Sequence, residues 1–490
     1  MKKRKKKVNY NIPMHKTLTR IVALLLISVI HGHSVLAKDG YSIQLKFTDI
    51  KDSTVYLAHY FGKPLPTIYK TDSAKIDKNG NAILKSDTKI LGGIYLILLS
   101  DKKTYFDFLL DNGKDMSITV TVKDLPSGLQ FKNSEDNNAF VEYGRYLLSF
   151  SKKQQDIEFE YNNAKTANDS AIITKKLVAS AEGLNNYRKD YVSKSPNALL
   201  AKIFNALSMP TVPTGPHYLS DGKTNDSSFA YRYYKTHYWD GFDFSDDRLI
   251  HTPIYDIRLD EYINKLTYPH EDSVIKECKF LLQKTAKSPE LFKYSLWWLT
   301  YNAENSKIMG MDAVFVYLVE NYYMKGYAIW LTPEELEKYI SSARKIAPNV
   351  IGNIAPDIKL TDANGKEQTL HTQKAKYTVL VFWSPDCGHC KEEMPKIDSL
   401  YRAVLKKKGV SMYAVSTYDE EKLWKDYIKE HKLEEWVHVW DPKRLSNFRH
   451  DYNVYMTPII YVLDEKKIIR AKRIDYSNIA GLLEALEKKK

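Results

Sequence analysis

The sequence predicts a multidomain chain with three folds in series: an N-terminal antiparallel β domain, a central all-α domain and a C-terminal α/β domain. Three observations predict it. Between residues 41 and 131 apolar and polar side chains alternate in short runs, the period of half-buried strands. From about Asn138 to Ala347 the apolar spacing becomes helical. Near the C-terminus a buried-strand run, Tyr377 to Trp383, passes through Cys387-Gly388-His389-Cys390 into an amphipathic helix reaching Leu400. The boundaries expected are 1–37 for a targeting segment, 38–132 for the β domain, 133–347 for the helical domain and 348–490 for the α/β domain.

Lys and Arg crowd the first twenty residues, and an apolar run follows from Ile21 to Ile30. That run is too short to span a bilayer and fits a secretory signal. Val35-Leu36-Ala37 offers a small-residue cleavage site, with Met14 as an alternative start and an uncleaved anchor as the alternative fate. No cysteine lies near the site, so a lipoprotein anchor is not indicated. Removing residues 1–37 takes away eight Lys/Arg and lowers the formal charge from +13 to +5. The basicity is therefore largely a targeting feature, and the expected location is the periplasm. Without a zinc finger, a Walker loop or a basic stripe interleaved with aromatics, no nucleic-acid partner is predicted. The 453 residues left suffice for about three domains, each with its own core.

In the β domain the predicted strands include Tyr41 to Phe47, Ile94 to Leu99, Tyr105 to Leu110 and Met116 to Val122, with turns at Asn79-Gly80 and Asn112-Gly113. No catalytic constellation stands out there. The helical domain includes Ala171 to Leu184, Ser288 to Tyr301 and Thr332 to Ile346. Thr332-Pro333-Glu334-Glu335 supplies an N-cap, a proline at the first helical position and acids in the first turn. The loop Met209 to Pro216 reads as a stiff connector. Residues 229–244 are unusually aromatic, a composition that stacks on ligands but more commonly packs a core. Asp240, Asp243, Asp246 and Asp247 lack the ligand spacing and central glycine of an EF-hand loop, and Ser245-Asp246-Asp247 reads as a helix cap. Cys278, within the helical-looking run Ser273 to Leu282, is expected to be a buried thiol without a catalytic task.

The Cys387/Cys390 pair carries the chemistry. Two thiols separated by two residues can open and close one disulfide while exchanging electrons with another. Placed where a strand hands over to a helix, Cys387 faces unpaired N–H groups and the positive end of the helix dipole, which favour a thiolate. Cys387 is thus the expected nucleophile, and Cys390, one turn into the helix, the more buried resolving thiol. A protonated His389 would stabilise the thiolate further. The alternatives are a zinc half-site, a structural disulfide or two incidental cysteines. Zinc needs four ligands, and with only Cys278 left and no paired histidine spacing no metal is predicted.

The C-terminal portion, about residues 350 to 490, resembles a thioredoxin-fold domain of the TlpA/ResA type. Ala355-Pro356-Asp357 with Leu360 to Gly365 resembles that family's lead-in hairpin, and Phe382-Trp383 leads into the CxxC. Thr457-Pro458 precedes the strand Ile459 to Leu463, where such proteins place a cis-proline beside the disulfide. The resemblance implies a substrate-binding role for Thr457, Pro458 and Trp383, the backbone at Thr457 pairing with an extended segment by β-strand addition. The plain alternative for Pro458 is an edge-strand proline. The upstream β and helical regions resemble uncharacterised modules of exported bacterial thioredoxin-like proteins.

Departures from the family pattern bear on mechanism. Val381 stands where general thioredoxins keep a buried Asp, whereas Glu393 falls where TlpA/ResA-type domains carry a Glu. On a helix Cys390 and Glu393 share a face, so Glu393 is expected to handle the resolving thiol's proton, against the alternative of a solvated carboxylate. Asp386 stands where many relatives have Trp, and its charge opposes thiolate formation while His389 favours it. The Gly388-His389 pair between the cysteines is also what disulfide isomerases use. The expected function is an exported thiol:disulfide oxidoreductase acting on protein dithiols and disulfides, reductase direction favoured. Its redox centre is the Cys387/Cys390 disulfide, with no further cofactor and a membrane protein as electron donor. The alternatives are an oxidase or isomerase, a binding protein using the fold as scaffold, and a peroxidase of the peroxiredoxin type. For the last, Ser384 occupies the position of the peroxidatic threonine.

Overall fold

The computed structural model describes residues 38–488, so the predicted signal segment lies outside the described residues. The chain divides into two compact units. One holds the described residues up to His59 together with Lys70–Ser180, and the other holds Tyr60–Tyr69 and the chain from Ala181 onward.

The first unit is built on two four-stranded sheets. Its strands are β1 (Tyr41–Phe47), β2 (Ser53–His59), β3 (Tyr69–Ile76), β4 (Asn81–Ser86), β5 (Gly93–Leu99), β6 (Tyr105–Leu110), β7 (Lys114–Val120) and β8 (Leu129–Lys132). The sheet orders are β4-β1-β7-β8 and β3-β2-β5-β6. The pairs β1–β4, β7–β8, β2–β5 and β5–β6 are antiparallel as expected, whereas β1 and β7 run parallel. Alternation along β1 sends Tyr41, Ile43, Leu45 and Phe47 into a core shared with Ile97, Phe108 and Ile118. Gly80 and Gly113 adopt φ of 82° and 76° in the two predicted turns, where a side chain would be strained. The helices α1 (Glu135–Asn162) and α2 (Ala167–Lys194) follow. Asn137, buried near the start of α1, donates to Leu109 O at 2.7 Å and accepts from Leu109 N–H at 2.7 Å, fastening the helix to β6.

From Ala181 the second unit takes the remainder of α2 and then helices α3 (Leu199–Ala206), α4 (Phe229–His237), α5 (Tyr255–Asp260), α6 (Glu271–Lys284), α7 (Pro289–Glu304), α8 (Met311–Leu318) and α9 (Pro333–Ile346). Thr332 caps α9 in a full capping box with Glu335. Residues 209–216 form no regular element, as a connector should. The aromatic run ends in core: Tyr238, Trp239, Phe242 and Phe244 are buried, and the Arg258 guanidinium sits 4.6 Å from the Tyr238 ring and 4.9 Å from that of Trp239. The acids of that region serve local bonds. Asp243 pairs with Lys202, and Asp246 caps a short 3-10 turn over Asp247–His251. Cys278 is fully buried, and burial raises its pKa well above the ordinary thiol range. The segment Tyr60–Tyr69 belongs here too: Gly62 N–H donates to Ile250 O at 2.6 Å, and Gly62 O accepts from Asp256 N–H at 3.1 Å. That excursion out of the β domain is not visible in the alternation pattern.

The α/β part comprises β9 (Lys359–Asp362), β10 (Glu367–Thr369), β11 (Tyr377–Trp383), α10 (Gly388–Leu400), β12 (Val410–Ser416), α11 (Glu421–Glu430), β13 (Val437–Trp440), α12 (Phe448–Asp451), β14 (Ile459–Asp464), β15 (Ile469–Lys472) and α13 (Ile479–Lys488). Its sheet runs β10-β9-β13-β12-β11-β14-β15, with β11, β12 and β13 parallel and the lead-in hairpin β9-β10 antiparallel. This is the thioredoxin-like architecture expected. Central β11 is buried on both faces, which explains its unbroken apolar run. Val379, Val381 and Trp383 join Cys390 and Met394 on one side, while Leu380 and Phe382 join Phe448 and Tyr461 on the other.

Candidate active site

The strand register places the site. Phe382 of β11 pairs with Ile459 of β14 in antiparallel register, so the turn after β11 and the chain leading into β14 emerge at the same edge. On one side of that edge stands Cys387, and on the other Thr457, joined to Pro458 by a cis peptide bond. Cys387 Sγ lies 3.3 Å from Thr457 O.

Cys387 is the N-cap of α10, with extended backbone (φ −75°, ψ 123°), and its carbonyl accepts from Lys391 N–H at 3.1 Å. It is partly exposed, whereas Cys390 is fully buried. Burial raises the Cys387 pKa, but hydrogen bonding with Thr457, with the Cys390 backbone and thiol, and with the His389 backbone outweighs it, leaving the pKa lowered. For Cys390 burial wins, and its pKa is pushed up to about 12. The pair is therefore strongly asymmetric: one accessible thiol disposed to ionise, one buried thiol held protonated.

The remaining predicted residues divide by position. Gly388 and His389 are exposed in the first turn of α10, and the His389 contribution to Cys387 runs through its backbone N–H. Asp386 is exposed, and its carboxylate accepts from the buried Ser384 hydroxyl, a Ser-x-Asp contact that the two-residue spacing permits. Glu393 is half-buried in α10, three residues beyond Cys390. The assignment of Trp383 to the substrate-binding surface does not hold. Trp383 is fully buried beneath the pair, its ring 5.0 Å from Tyr427 and 5.9 Å from His438, with no face open to a substrate. Its apolar strand position, with side chains alternating across a doubly covered sheet, is the reason.

Sequence reasoning missed the wall behind Cys390. Trp424, Tyr427 and Trp436 are buried in the core that holds Cys390, and buried His438 stacks on Trp436. Desolvation lowers the His438 pKa to about 4, so the ring is neutral there. Also missed was the join between catalytic and helical parts: buried Lys472 of β15 pairs with Asp312 of α8 and donates to Asn349 Oδ1 at 2.8 Å. The scattered charges gave no spacing signal for it. Among the described residues, no group of three His, Cys, Asp or Glu is placed to hold a metal ion.

Comparison with known proteins follows these divisions. Residues 351–472 match the AhpC/TSA family, residues 189–349 a domain of unknown function (DUF5106), and residues 41–140 another (DUF4369). The chain is 31% identical over 120 residues to the thioredoxin-like protein YneN of Bacillus subtilis (strain 168), covering 24% of this chain and 68% of that protein. It is 34% identical over 115 residues to the thiol-disulfide oxidoreductase ResA of Geobacillus kaustophilus (strain HTA426), covering 24% of this chain and 64% of that one. Of another ResA, from Bacillus cereus, it spans 47% at 36% identity, over 17% of its own length. Among solved structures, a domain of a possible thiol-disulfide isomerase from Cytophaga hutchinsonii ATCC 33406 is 38% identical, covering 29% of this chain and 97% of that one with a TM-score of 0.28.

Proposed function

This chain belongs to the thioredoxin-like thiol-disulfide oxidoreductases through residues 351–472, and on that premise we propose that it reduces disulfides of exported proteins through Cys387 and Cys390. The observation that marks Cys387 and Cys390 as the exchanging pair, whichever way electrons run, is their asymmetry. An accessible thiol with a lowered pKa sits at a helix N-terminus beside a buried thiol whose pKa is raised to about 12.

In the reductase direction the Cys387 thiolate attacks a substrate disulfide. One substrate sulfur leaves as a thiolate and takes a proton, and the other is held in a mixed disulfide with Cys387. Cys390 then loses its proton to Glu393 and attacks Cys387 Sγ, releasing the second substrate sulfur. The substrate has gained two electrons, and Cys387 and Cys390 have closed their own disulfide. A membrane-borne dithiol donor returns the pair to the reduced state. The backbone at Thr457, beside the Cys387 sulfur, receives the substrate as an added strand.

The TlpA/ResA-type sequence pattern of residues 350–490 favours the reductase direction, and the basic, apolar N-terminal segment supports export. The lowered Cys387 pKa supports the opposite direction, since a thiolate stabilised in the reduced form makes the disulfide more oxidising. Equilibration of the purified protein in glutathione buffers decides between them. A potential near about −300 mV supports reduction, and one near about −120 mV, that of strong oxidants, overturns it in favour of disulfide donation.

A further inference from the structure

Between the helical module and the catalytic domain lies a cleft of about 350 Å³. One wall is the turn joining α7 to α8, with Lys307, Ile308 and Met309; the other is formed by Asn453, Tyr455 and Arg473. At its base the buried Lys472 is answered by Asp312.

Three features suit the cleft to a chain segment that leaves the reactive site. Tyr455 stands two residues from Thr457, so the cleft begins within about 7 Å of chain from the carbonyl that faces the Cys387 sulfur. Its walls expose apolar side chains that a packed core would hide: Ile308 is 49% exposed, Met309 44% and Tyr455 65%. Its rim is cationic. The Arg473 guanidinium spends its hydrogen bonds on Tyr455 Oη and Asn453 O, neither of them a carboxylate, and exposed Lys307 lines the same cleft. Against these two cations the described lining sets a single exposed carboxylate, Glu304.

We propose that this cleft is a substrate-docking subsite, taking an extended segment of the protein substrate that carries an acidic residue between apolar ones beside its reactive cysteine. The inference rests on the oxidoreductase reading and gives the helical module a task, substrate selection. A segment paired with the backbone at Thr457 runs past Tyr455 into the cleft. Its apolar side chains cover Ile308, Met309 and Tyr455, and its carboxylate meets Arg473 and Lys307.

The test uses the full chain, limiting dithiothreitol as electron donor, and three disulfides: a peptide with Leu-Asp-Leu beside its cystine, a matched peptide with Ser-Lys-Ser there, and neutral hydroxyethyl disulfide, too small to reach the cleft. The acidic-apolar peptide should show a KM roughly three- to tenfold lower than the basic one, the scale of about 1 kcal/mol of contact. Lys307→Glu combined with Met309→Ser should erase that preference without changing hydroxyethyl disulfide turnover, and Lys307→Arg should keep it. Both altered side chains are exposed, so the fold does not depend on them. An equal KM for the two peptides in the wild type, or a preference that survives the double substitution, overturns the subsite. Failure of the wild type to turn over hydroxyethyl disulfide overturns the oxidoreductase reading itself, and the subsite with it.

Discussion

Cys387 Sγ stands 3.3 Å from the carbonyl oxygen of Thr457, across 70 positions of sequence. The sheet brings them together, because β11 and β14 are antiparallel neighbours with Phe382 opposite Ile459. The same contact puts the reactive sulfur beside a backbone segment that leads into β14 rather than lying within it. The accessible thiol and the backbone proposed to receive substrate thus share one edge of the fold.

The two thiols should alkylate very differently. Cys387 ionises below the ordinary thiol range and is accessible, whereas Cys390 is buried with its pKa near about 12. At pH 7 iodoacetamide should label Cys387 and spare Cys390, as read by peptide mass spectrometry. Equal labelling would contradict the asymmetry.

Glu393 is proposed to take the proton of the resolving thiol. Its position three residues after Cys390 on α10 puts both on one helix face. Glu393→Gln should slow closure of the Cys387/Cys390 disulfide at neutral pH by roughly 100-fold, the lower range of proton-transfer catalysis, and should alter its pH profile. A profile identical to the wild type rejects the assignment.

The sequence carries the strand, the CxxC and the helix because each writes its burial into a local period. β11 ends at Trp383 as the apolar run does, and the Asn79-Gly80 and Asn112-Gly113 turns fall between strands. Cys387 is legible as a helix cap for the same reason. What stays hidden depends on contacts between distant residues. An apolar tryptophan before a CxxC reads alike whether it faces solvent or core, so sequence alone puts Trp383 on the wrong surface. Residues 60–69 look like a turn between strands, yet they belong with the helical unit. The pairing of Lys472 with Asp312 has no period at all.

That pairing should be costly to break from one side. Lys472 is buried, and removing Asp312 leaves its ammonium facing Asn349 without a counter-charge. Asp312→Ala should lower stability by about 3 kcal/mol, whereas Asp312→Leu with Lys472→Met should recover most of it. A denaturant-unfolding double-mutant cycle checks this, and additive losses would contradict it.

His438 should give the fold an acid-sensitive limb. Its pKa falls from 6.5 to about 4 through burial, so between those values the unfolded chain binds a proton that the folded chain does not. Its stabilising effect is therefore fully present above pH about 6.5 and is lost as the pH falls toward 4. From pH 7 to pH 5 the loss should be about 2 kcal/mol, and His438→Phe should remove that part of the slope in chemical denaturation. An unchanged slope would show that another group carries it.

The central claim is that Cys387 is the sulfur that meets the substrate. Its most direct test is reduction of insulin disulfides by the full-length protein and by its Cys387→Ser and Cys390→Ser variants, with dithiothreitol as donor. Cys387→Ser should lose turnover down to the dithiothreitol background, and Cys390→Ser should accumulate a mixed disulfide at Cys387. Wild-type turnover by Cys387→Ser would contradict the account.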